Sequence, residues 1–264
     1  MSIEAEARLA RALQELCLPT MRAHYEAVAR QATAESWSYA TFLLELVQQE
    51  CQQRRQKRIE RWLKASKLPL EKNWQTLDLK RFPLKIAQQL RALLSGDFLD
   101  RQENVLLFGP PGSGKTHALC ALSQELVRSG RRVLFTKSGL LVQELLAAKR
   151  DLRLPAAIKR LAQWEALFID DLGYVQQNRE EMEVLFTLLA ERYERGSVLV
   201  TSNLPFSKWE QIFKDAMTAA AAIDRLVHHS IIVEMNLSSY RMEKAKKAKG
   251  SNPGTAPEGK ESDA

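Results

Sequence analysis

The 264-residue sequence contains only three cysteines, Cys17, Cys51 and Cys120, and none has the CxxC or histidine-paired spacing of a metal site. This pattern supports neither a disulfide framework nor a zinc site, so we expect reduced thiols packed in a cytosolic protein. Long apolar runs are absent too, which excludes a segment that spans a bilayer. The N-terminal residues include acids and lack the apolar core of a signal peptide, which also favours a cytoplasmic location.

An excess of negative charge is also missing, because the formal net charge is +7. Nearly all of this surplus lies in residues 51–67, where seven Lys and Arg residues stand against one Glu. A local basic excess often accompanies nucleic-acid binding, although a solvated helix end with favourable charges at its C-terminus gives the same pattern. The remaining composition, 45% apolar and 27% charged, is typical of a soluble globular protein.

The N-terminal part of the chain, residues 1–67, has the composition of a small all-helical domain. Pro19 separates the first helix from the next, and Ser38 is positioned to cap a long helix that runs into the basic stretch. Residues 68–102 contain Pro69 and Pro83 and are predicted to form a linker with one short helix at about 86–94.

The pattern changes from residue 103, where short apolar runs alternate with amphipathic helices up to residue 241. The predicted strands are 104–108, 132–136, 166–170, 197–201 and 231–234. Such alternation predicts an α/β domain with a parallel five-stranded sheet and helices on both faces. Residues 242–264 lack apolar periodicity and are rich in Gly, Pro, Lys and Ser, so a disordered tail is expected.

A glycine-rich segment between the first predicted strand and the following helix matches GxxxxGK[ST] at every fixed position. Its residues are Gly109, Pro110, Pro111, Gly112, Ser113, Gly114, Lys115 and Thr116. Backbone N–H groups of such a loop surround phosphates, the lysine reaches the β- and γ-phosphates of ATP, and the threonine hydroxyl binds Mg²⁺. We include His117, the next residue, among the nucleotide-binding candidates. A chance glycine turn before a helix is the alternative.

Polar residues follow two of the predicted strands. Asp170 and Asp171 end the third strand, and Asn203 follows the fourth. In a P-loop protein the first acid would hold the metal with Thr116, and the second would orient the attacking water. Asn203 is then placed to contact the γ-phosphate or the attacking water. Without the upstream loop, the acids and the asparagine would be ordinary turn residues.

Four segments, two of which contain the loop and the acids described above, resemble a known family. They are ENVLLFGPPGSGKTHALCAL, LFIDDLGYV, LLAERYERGSVLVTSNLPFSKWEQIF and AAIDRLVHHSIIVEMNLSSYRM, and the N-terminal FLLELVQQECQQRRQKRIERWLKASKLP adds to them. The chain resembles the IstB-type ATP-binding helper proteins of bacterial insertion sequences, which are related to the DnaC helicase loaders among AAA+ ATPases.

The resemblance implies an AAA+ ATPase core and roles for particular residues. It makes 109–116 the Walker A loop, Asp170 and Asp171 the Walker B acids, and Asn203 a polar sensor. Arg225 matches the arginine that such ATPases insert into a neighbouring subunit's ATP site, although alone it reads as a solvent-exposed or salt-bridged side chain on an Ala-rich helix. Arg241 matches a second sensor. Because many AAA+ proteins carry Glu where this chain has the shorter Asp171, we expect slow hydrolysis without DNA or a partner.

The resemblance also implies partners: non-specific double-stranded DNA, a cognate transposase, and further copies of the chain in a head-to-tail oligomer. No membrane partner is expected. The candidate DNA contacts are Arg54, Arg55, Lys57, Arg58 and Arg61 in the basic stretch, with Arg153, Lys159 and Arg160 in a second basic patch.

Competing functions remain open from the sequence. A DnaC-like replicative helicase loader shares the ATPase core and would prefer single-stranded DNA. An ATP-gated DNA-binding scaffold without hydrolysis is compatible with Asp171. A small-molecule kinase shares the P-loop but leaves the basic helix and Arg225 unexplained.

Overall fold

The computed structural model describes residues 3–173, 179–204, 224 and 226–240. Their contacts divide the chain into two compact units, Met1–Lys64 and Ala65–Ala264. Three predictions lie outside the described residues: the positions of Arg225 and Arg241, and the tail at 242–264.

The first unit consists of three helices: α1 (Ile3–Glu15), α2 (Pro19–Ala34) and α3 (Tyr39–Ala65), the last of which ends one residue into the second unit. Pro19 begins α2, where its missing N–H leaves no intrahelical bond unmade. The Ser38 hydroxyl accepts a hydrogen bond from the Thr41 amide at 3.1 Å and caps α3, as the sequence predicts. A small core joins the helices, built on Leu13, Tyr25, Val28 and Leu46.

A buried carboxylate fixes the start of α2 against α3. Glu50 accepts hydrogen bonds from the backbone amides of Thr20 at 2.8 Å and Met21 at 3.1 Å, and from Arg54 Nε at 2.8 Å. Burial alone would raise the pKa of Glu50, but these hydrogen bonds lower it below its usual value. Glu50 is therefore ionised and satisfies the first free N–H groups of α2.

The second unit contains the predicted five-stranded parallel sheet. Its strands are β1 (Asn104–Phe108), β2 (Val133–Lys137), β3 (Ala166–Asp170), β4 (Ser197–Ser202) and β5 (Ser230–Glu234). They lie in the order β2-β3-β4-β1-β5, and every pair is parallel. The central strands β1, β3 and β4 are buried throughout, as expected for a sheet covered on both faces. The α/β fold class is confirmed.

Helices surround this sheet: α4 (Leu84–Ala92), α5 (Asp97–Asp100), α6 (Lys115–Arg128), α7 (Ser138–Arg150), α8 (Leu154–Ala162) and α9 (Arg179–Arg192). Side chains of α7, α8 and α9 form one core with β1, β3 and β4. In the part of the chain that the structure describes, no helix is both long and apolar enough to cross a membrane.

Residues 65–102, which include the predicted linker at 68–102, fall within the second unit. Ser66 O accepts the amide of Phe135 at 2.8 Å along the edge strand β2. Phe82, Leu90 and Phe98 are buried. Prolines and turns interrupt this segment, so its apolar residues lack the helical or strand period by which a sequence reveals packing.

The cysteines do not all pack inside as expected. Cys120 on α6 is buried, whereas Cys17 and Cys51 in the first unit are exposed. Burial raises the pKa of the Cys120 thiol to about 12, so this side chain behaves as a small apolar group.

Candidate active site

The glycine-rich loop leaves the carboxyl end of β1 and enters α6, and its backbone requires glycine at two positions. Gly109 has φ 151° and Gly112 has φ 81°. A Cβ atom at Gly109 would lie 2.3 Å from Met235 O, and one at Gly112 would lie 2.2 Å from Ser239 Oγ. Both positions combine a left-handed or unusual φ with a close neighbour, so any side chain there would force the loop apart.

Lys115 begins α6 and turns back over the loop. Its Nζ donates to Gly109 O at 2.7 Å and to Pro110 O at 2.9 Å, and the residue is 4% exposed. The ammonium group therefore lies inside the loop at the N-terminus of α6, where the positive end of the helix dipole also favours an anion.

Asp170, at the carboxyl end of β3, binds two hydroxyl groups. Thr116 Oγ1 donates to its Oδ1 at 2.8 Å, and Thr201 Oγ1 donates to the same oxygen at 2.6 Å. Asp170 is 3% exposed. A hydroxyl and a carboxylate held this close are the oxygen ligands that Mg²⁺ prefers, so the two predicted metal residues fit that ion.

Asp171 lies next to this pair, and its backbone is held on both sides. Thr201 Oγ1 accepts the Asp171 N–H at 2.9 Å, and Asp171 O accepts the hydroxyl of Ser138 at 2.9 Å. Its φ of 58° is left-handed, a conformation that Asp tolerates better than longer or branched residues. Asp171 therefore has a fixed backbone at the edge of the cavity, which it lines together with Asn203.

A cavity of about 670 Å³ lies above the loop. Its lining includes six of the predicted residues, namely Pro111, Gly112, Gly114, Lys115, Thr116 and His117, together with Asp171 and Asn203. A second part of the lining, which we name the wall, comes from residues 72–82, including Lys72, Thr76, Arg81 and Phe82, and Tyr240 adds a ring. A volume in the range of small-molecule sites, with a lysine, acids and an amide at one end, suits a nucleoside triphosphate.

His117 joins the loop to this wall. Its Nε2 lies 3.3 Å from Asn73 O and 3.1 Å from Thr76 Oγ1. Because a carbonyl oxygen only accepts, Nε2 carries the proton and donates. Burial lowers the pKa of His117, so the ring is neutral near pH 7. Gln124, two turns further along α6, donates to Pro69 O and Lys72 O at 3.0 and 3.1 Å and anchors the wall again.

Sequence reasoning missed two groups of residues at this site. Thr201 links the two acids, but a threonine at a strand end is too common to single out. The wall residues 72–82 were assigned to a linker, and their sequence carries no phosphate-binding motif. The available signal for Thr201 was its place on β4, one residue before the strand's last position and two before Asn203.

The candidate DNA-binding residues of α3 belong to the first unit, and none of them lines this cavity. Four basic residues of α3, Lys57, Arg58, Arg61 and Lys64, line a groove of about 990 Å³ with Arg54, Cys17 and Thr20. The structure thus brings most of the basic residues of α3 to one groove, with Arg55 outside its lining.

Arg54 differs from the other cations of the groove because its hydrogen bonds stabilise the fold of the first unit. It donates to the buried Glu50 and to the carbonyl oxygen of Cys17, which lies just before α2. Arg58 lies over the Trp62 ring, with its Cζ 5.7 Å from the centroid.

The second basic patch is largely paired with acids. Arg153 lies 2.7 Å from Asp151, Arg160 forms an ion pair with Glu144, and Lys149 lies 2.9 Å from Glu183. Lys159 lines a separate pocket beside Leu154 and Ile158. The patch therefore presents less unpaired positive charge than its sequence suggests.

The family model described as IstB-like ATP-binding protein matches residues 11–248. An insertion-sequence ATP-binding protein of Sinorhizobium fredii is 42% identical over 245 residues, covering 92% of this chain and 82% of the relative. The insertion sequence IS21 ATP-binding protein of Pseudomonas aeruginosa is 37% identical over 236 residues, covering 89% of each chain.

Solved structures share the fold at low identity. DnaI is 19% identical with a TM-score of 0.54, covering 64% of this chain and 95% of its own. The DnaC helicase loader is 17% identical with a TM-score of 0.52, covering 67% and 99%. Domain III of DnaA from Thermotoga maritima is 16% identical with a TM-score of 0.54, covering 69% and 74%. The chain thus belongs to the IstB-like ATP-binding protein family of insertion sequences, and it is an ATPase with the AAA+ P-loop fold.

Proposed function

We propose that this protein is an ATP-dependent helper of DNA transposition in the cytoplasm, which assembles on double-stranded target DNA and recruits or activates the transposase. The observation that carries the proposal is the convergence of Lys115, Thr116, Asp171 and Asn203 on one cavity, with the buried Asp170 hydrogen-bonded to Thr116, in a chain of an insertion-sequence family.

The roles of the cavity residues follow from their positions. Lys115 exchanges its loop carbonyls for β- and γ-phosphate oxygens, and the loop residues 109–116 surround the phosphates. Thr116 and Asp170 would hold Mg²⁺, and this ion would neutralise charge on the phosphates. Asp171, whose backbone is fixed on both sides, orients the attacking water, and Asn203 contacts the γ-phosphate.

The active form is a head-to-tail oligomer in this proposal. Arg225 completes the ATP site of the neighbouring copy, where its charge offsets the transition state, and an arginine acting in this way needs a heterologous contact between copies. ATP at such an interface favours assembly, and hydrolysis favours release.

The groove of α3 supplies the main contact with duplex DNA. Lys57, Arg58, Arg61 and Lys64 are exposed and share one surface with Arg54, a geometry suited to phosphates and not to base edges. Arg55 flanks this surface. Arg153, Lys159 and Arg160 form a second and weaker contact, because two of them are paired with acids. Contacts of this kind bind DNA without regard to sequence.

A helicase loader is the second candidate, favoured by the fold shared with DnaI and the DnaC helicase loader. The two functions differ in the nucleic acid bound. A helper of transposition prefers duplex DNA, whereas a loader prefers a single strand and a hexameric helicase.

The deciding experiment measures binding to single-stranded and double-stranded oligonucleotides of equal length, at fixed salt, with and without ATP. We expect ATP to strengthen duplex binding at least about tenfold in the wild type, which corresponds to a coupling of about 1.4 kcal/mol. Lys115→Ala should lose this gain, whereas Lys85→Ala, on the exposed surface of α4, should keep it. Preference for the single strand would favour the loader, and binding to neither would overturn both functions.

A further inference from the structure

Residues 235–240, which we name the strap, follow β5 and cross the phosphate-binding loop. The amide of Met235 donates to Phe108 O at 2.7 Å, and Met235 O lies against the Cα of Gly109. At the other end, the amide of Tyr240 donates to Gly112 O at 3.0 Å. The strap thus contacts the loop near Gly109 and Gly112, the two positions where the loop requires glycine.

The wall of the cavity holds the strap from the other side through one residue, Arg81. Its Nη2 donates to Ser238 O at 3.3 Å, and its guanidinium carbon lies 4.7 Å from the centre of the Tyr240 ring. Both Arg81 and Tyr240 line the cavity. At this distance a guanidinium over an aromatic face is a favourable cation–π contact.

This contact joins two segments that are far apart in sequence and that both line the cavity. The wall reaches Arg81 through the turn Leu79–Arg81, which Asp78 caps by accepting the Lys80 amide. The strap reaches Tyr240 from the edge strand β5. The loop and the Arg81–Tyr240 pair thus both line the cavity, and the pair links the wall to the strap.

We propose that Arg81 and Tyr240 are positioning residues that close the cavity and slow the release of nucleotide. The pair acts by holding the strap against the wall, and neither residue takes part in cleavage of the phosphate bond. This inference rests on the proposal that the cavity is the nucleotide site. It assigns a role to two residues outside the phosphate-binding and acidic motifs.

The expected effect is moderate, because Tyr240 is 45% exposed and a partly solvated cation–π contact is weak. Removing it should raise the dissociation rate of bound nucleotide by about two- to fivefold. The rate of the hydrolysis step in a single turnover at saturating ATP should stay within about twofold of wild type, since both residues act on binding.

The test is stopped-flow displacement of a fluorescent ADP from Tyr240→Leu, Tyr240→Phe, Arg81→Gln and the Tyr240→Leu/Arg81→Gln double variant. We expect faster dissociation from the Leu and Gln variants, near wild-type dissociation from Tyr240→Phe, which keeps the ring, and no further increase in the double variant. If Tyr240→Leu melts early, Arg81→Gln gives the same test from the other partner.

Two results would overturn the proposed role of Arg81 and Tyr240: additive effects in the double variant, or dissociation of nucleotide from both single variants at the wild-type rate. Lys115→Ala separates this failure from that of the nucleotide site. If Lys115→Ala still binds nucleotide as tightly as wild type, the assignment of the cavity is wrong. If Lys115→Ala loses nucleotide while the Tyr240 and Arg81 variants release it at the wild-type rate, only the role proposed for Arg81 and Tyr240 is wrong.

Discussion

The cavity above the phosphate-binding loop and the basic surfaces of the molecule hold their charges in different ways. In the cavity, the charged groups have fixed positions: Lys115 lies on loop carbonyls, and Asp170 accepts two hydroxyl groups. On the basic surfaces, the charges are exposed, and Arg153 and Arg160 each lie beside an acid. A motif therefore predicts geometry, whereas a count of basic residues does not predict how much charge is available to a ligand.

The energetic meaning of pairing also differs between these regions. An exposed ion pair contributes only about 0–1 kcal/mol, so Arg153 and Arg160 can exchange their acids for phosphates at small expense. Arg54 is bound to a carboxylate that is 4% exposed and that also caps α2. Losing Arg54 would leave that buried charge without its ion-pair partner, so it is a poor residue for testing DNA contact.

The largest effect on hydrolysis is expected from neutralising Asp171. Asp171→Asn keeps the shape of the side chain but removes the charge that orients water, so kcat should fall by about 100-fold or more. The dissociation constant for ATP should change by less than about threefold, because the loop and Lys115 remain. Phosphate release and equilibrium binding of an ATP analogue measure the two quantities.

A matched control for this variant is Asp151→Asn, which removes an exposed acid from the pair with Arg153. It should leave kcat unchanged. Equal losses in both variants would mean that Asp171 has no special position, and an unchanged kcat in Asp171→Asn would remove it from the reaction.

A smaller effect is expected at Thr201, which fixes both acids without reaching the substrate. Thr201→Val keeps the volume of the side chain but loses the hydroxyl that donates to Asp170 and accepts the Asp171 amide. Since two neighbouring groups lose alignment, we expect kcat to fall by about tenfold, with a weaker response to Mg²⁺ concentration. Thr201→Ser should restore most of the rate. A wild-type rate in Thr201→Val, or a Thr201→Ser variant no faster than Thr201→Val, would show that the hydroxyl does not position the acids.

Much of this site could be predicted because its information is local. The loop is a continuous run of glycines and a lysine between a strand and a helix, and Asp170 and Asp171 directly follow an apolar strand. The sheet was predictable for the same reason, since each strand is a short apolar run with turn residues beside it. The parallel arrangement then brings the carboxyl ends of β1, β3 and β4 to one edge.

The wall of the cavity was not predictable because its information is distant in sequence. Arg81 meets Tyr240 only after the chain has completed the whole sheet, and no spacing rule connects them. The sequence predicts His117 as a nucleotide-binding residue, but nothing in it predicts the contacts of His117 with Asn73 and Thr76. The groove of α3 was not predictable for the same reason. Cys17 and Thr20, which complete its lining, come from a part of the first unit that precedes α3.

The smallest effect tests whether position or total charge governs DNA binding. Lys57→Gln/Arg61→Gln removes two exposed cations from the groove, and Arg11→Gln/Arg30→Gln removes the same charge from exposed residues of the first unit outside its lining. If the groove holds phosphates, the groove variant should lower duplex affinity by about fivefold and the slope of log K against log salt by about two. The control variant should change the slope by less than about one half. Equal changes in both would mean that DNA responds to the net charge of the unit and not to the groove, and no change in either would remove α3 from the DNA contact.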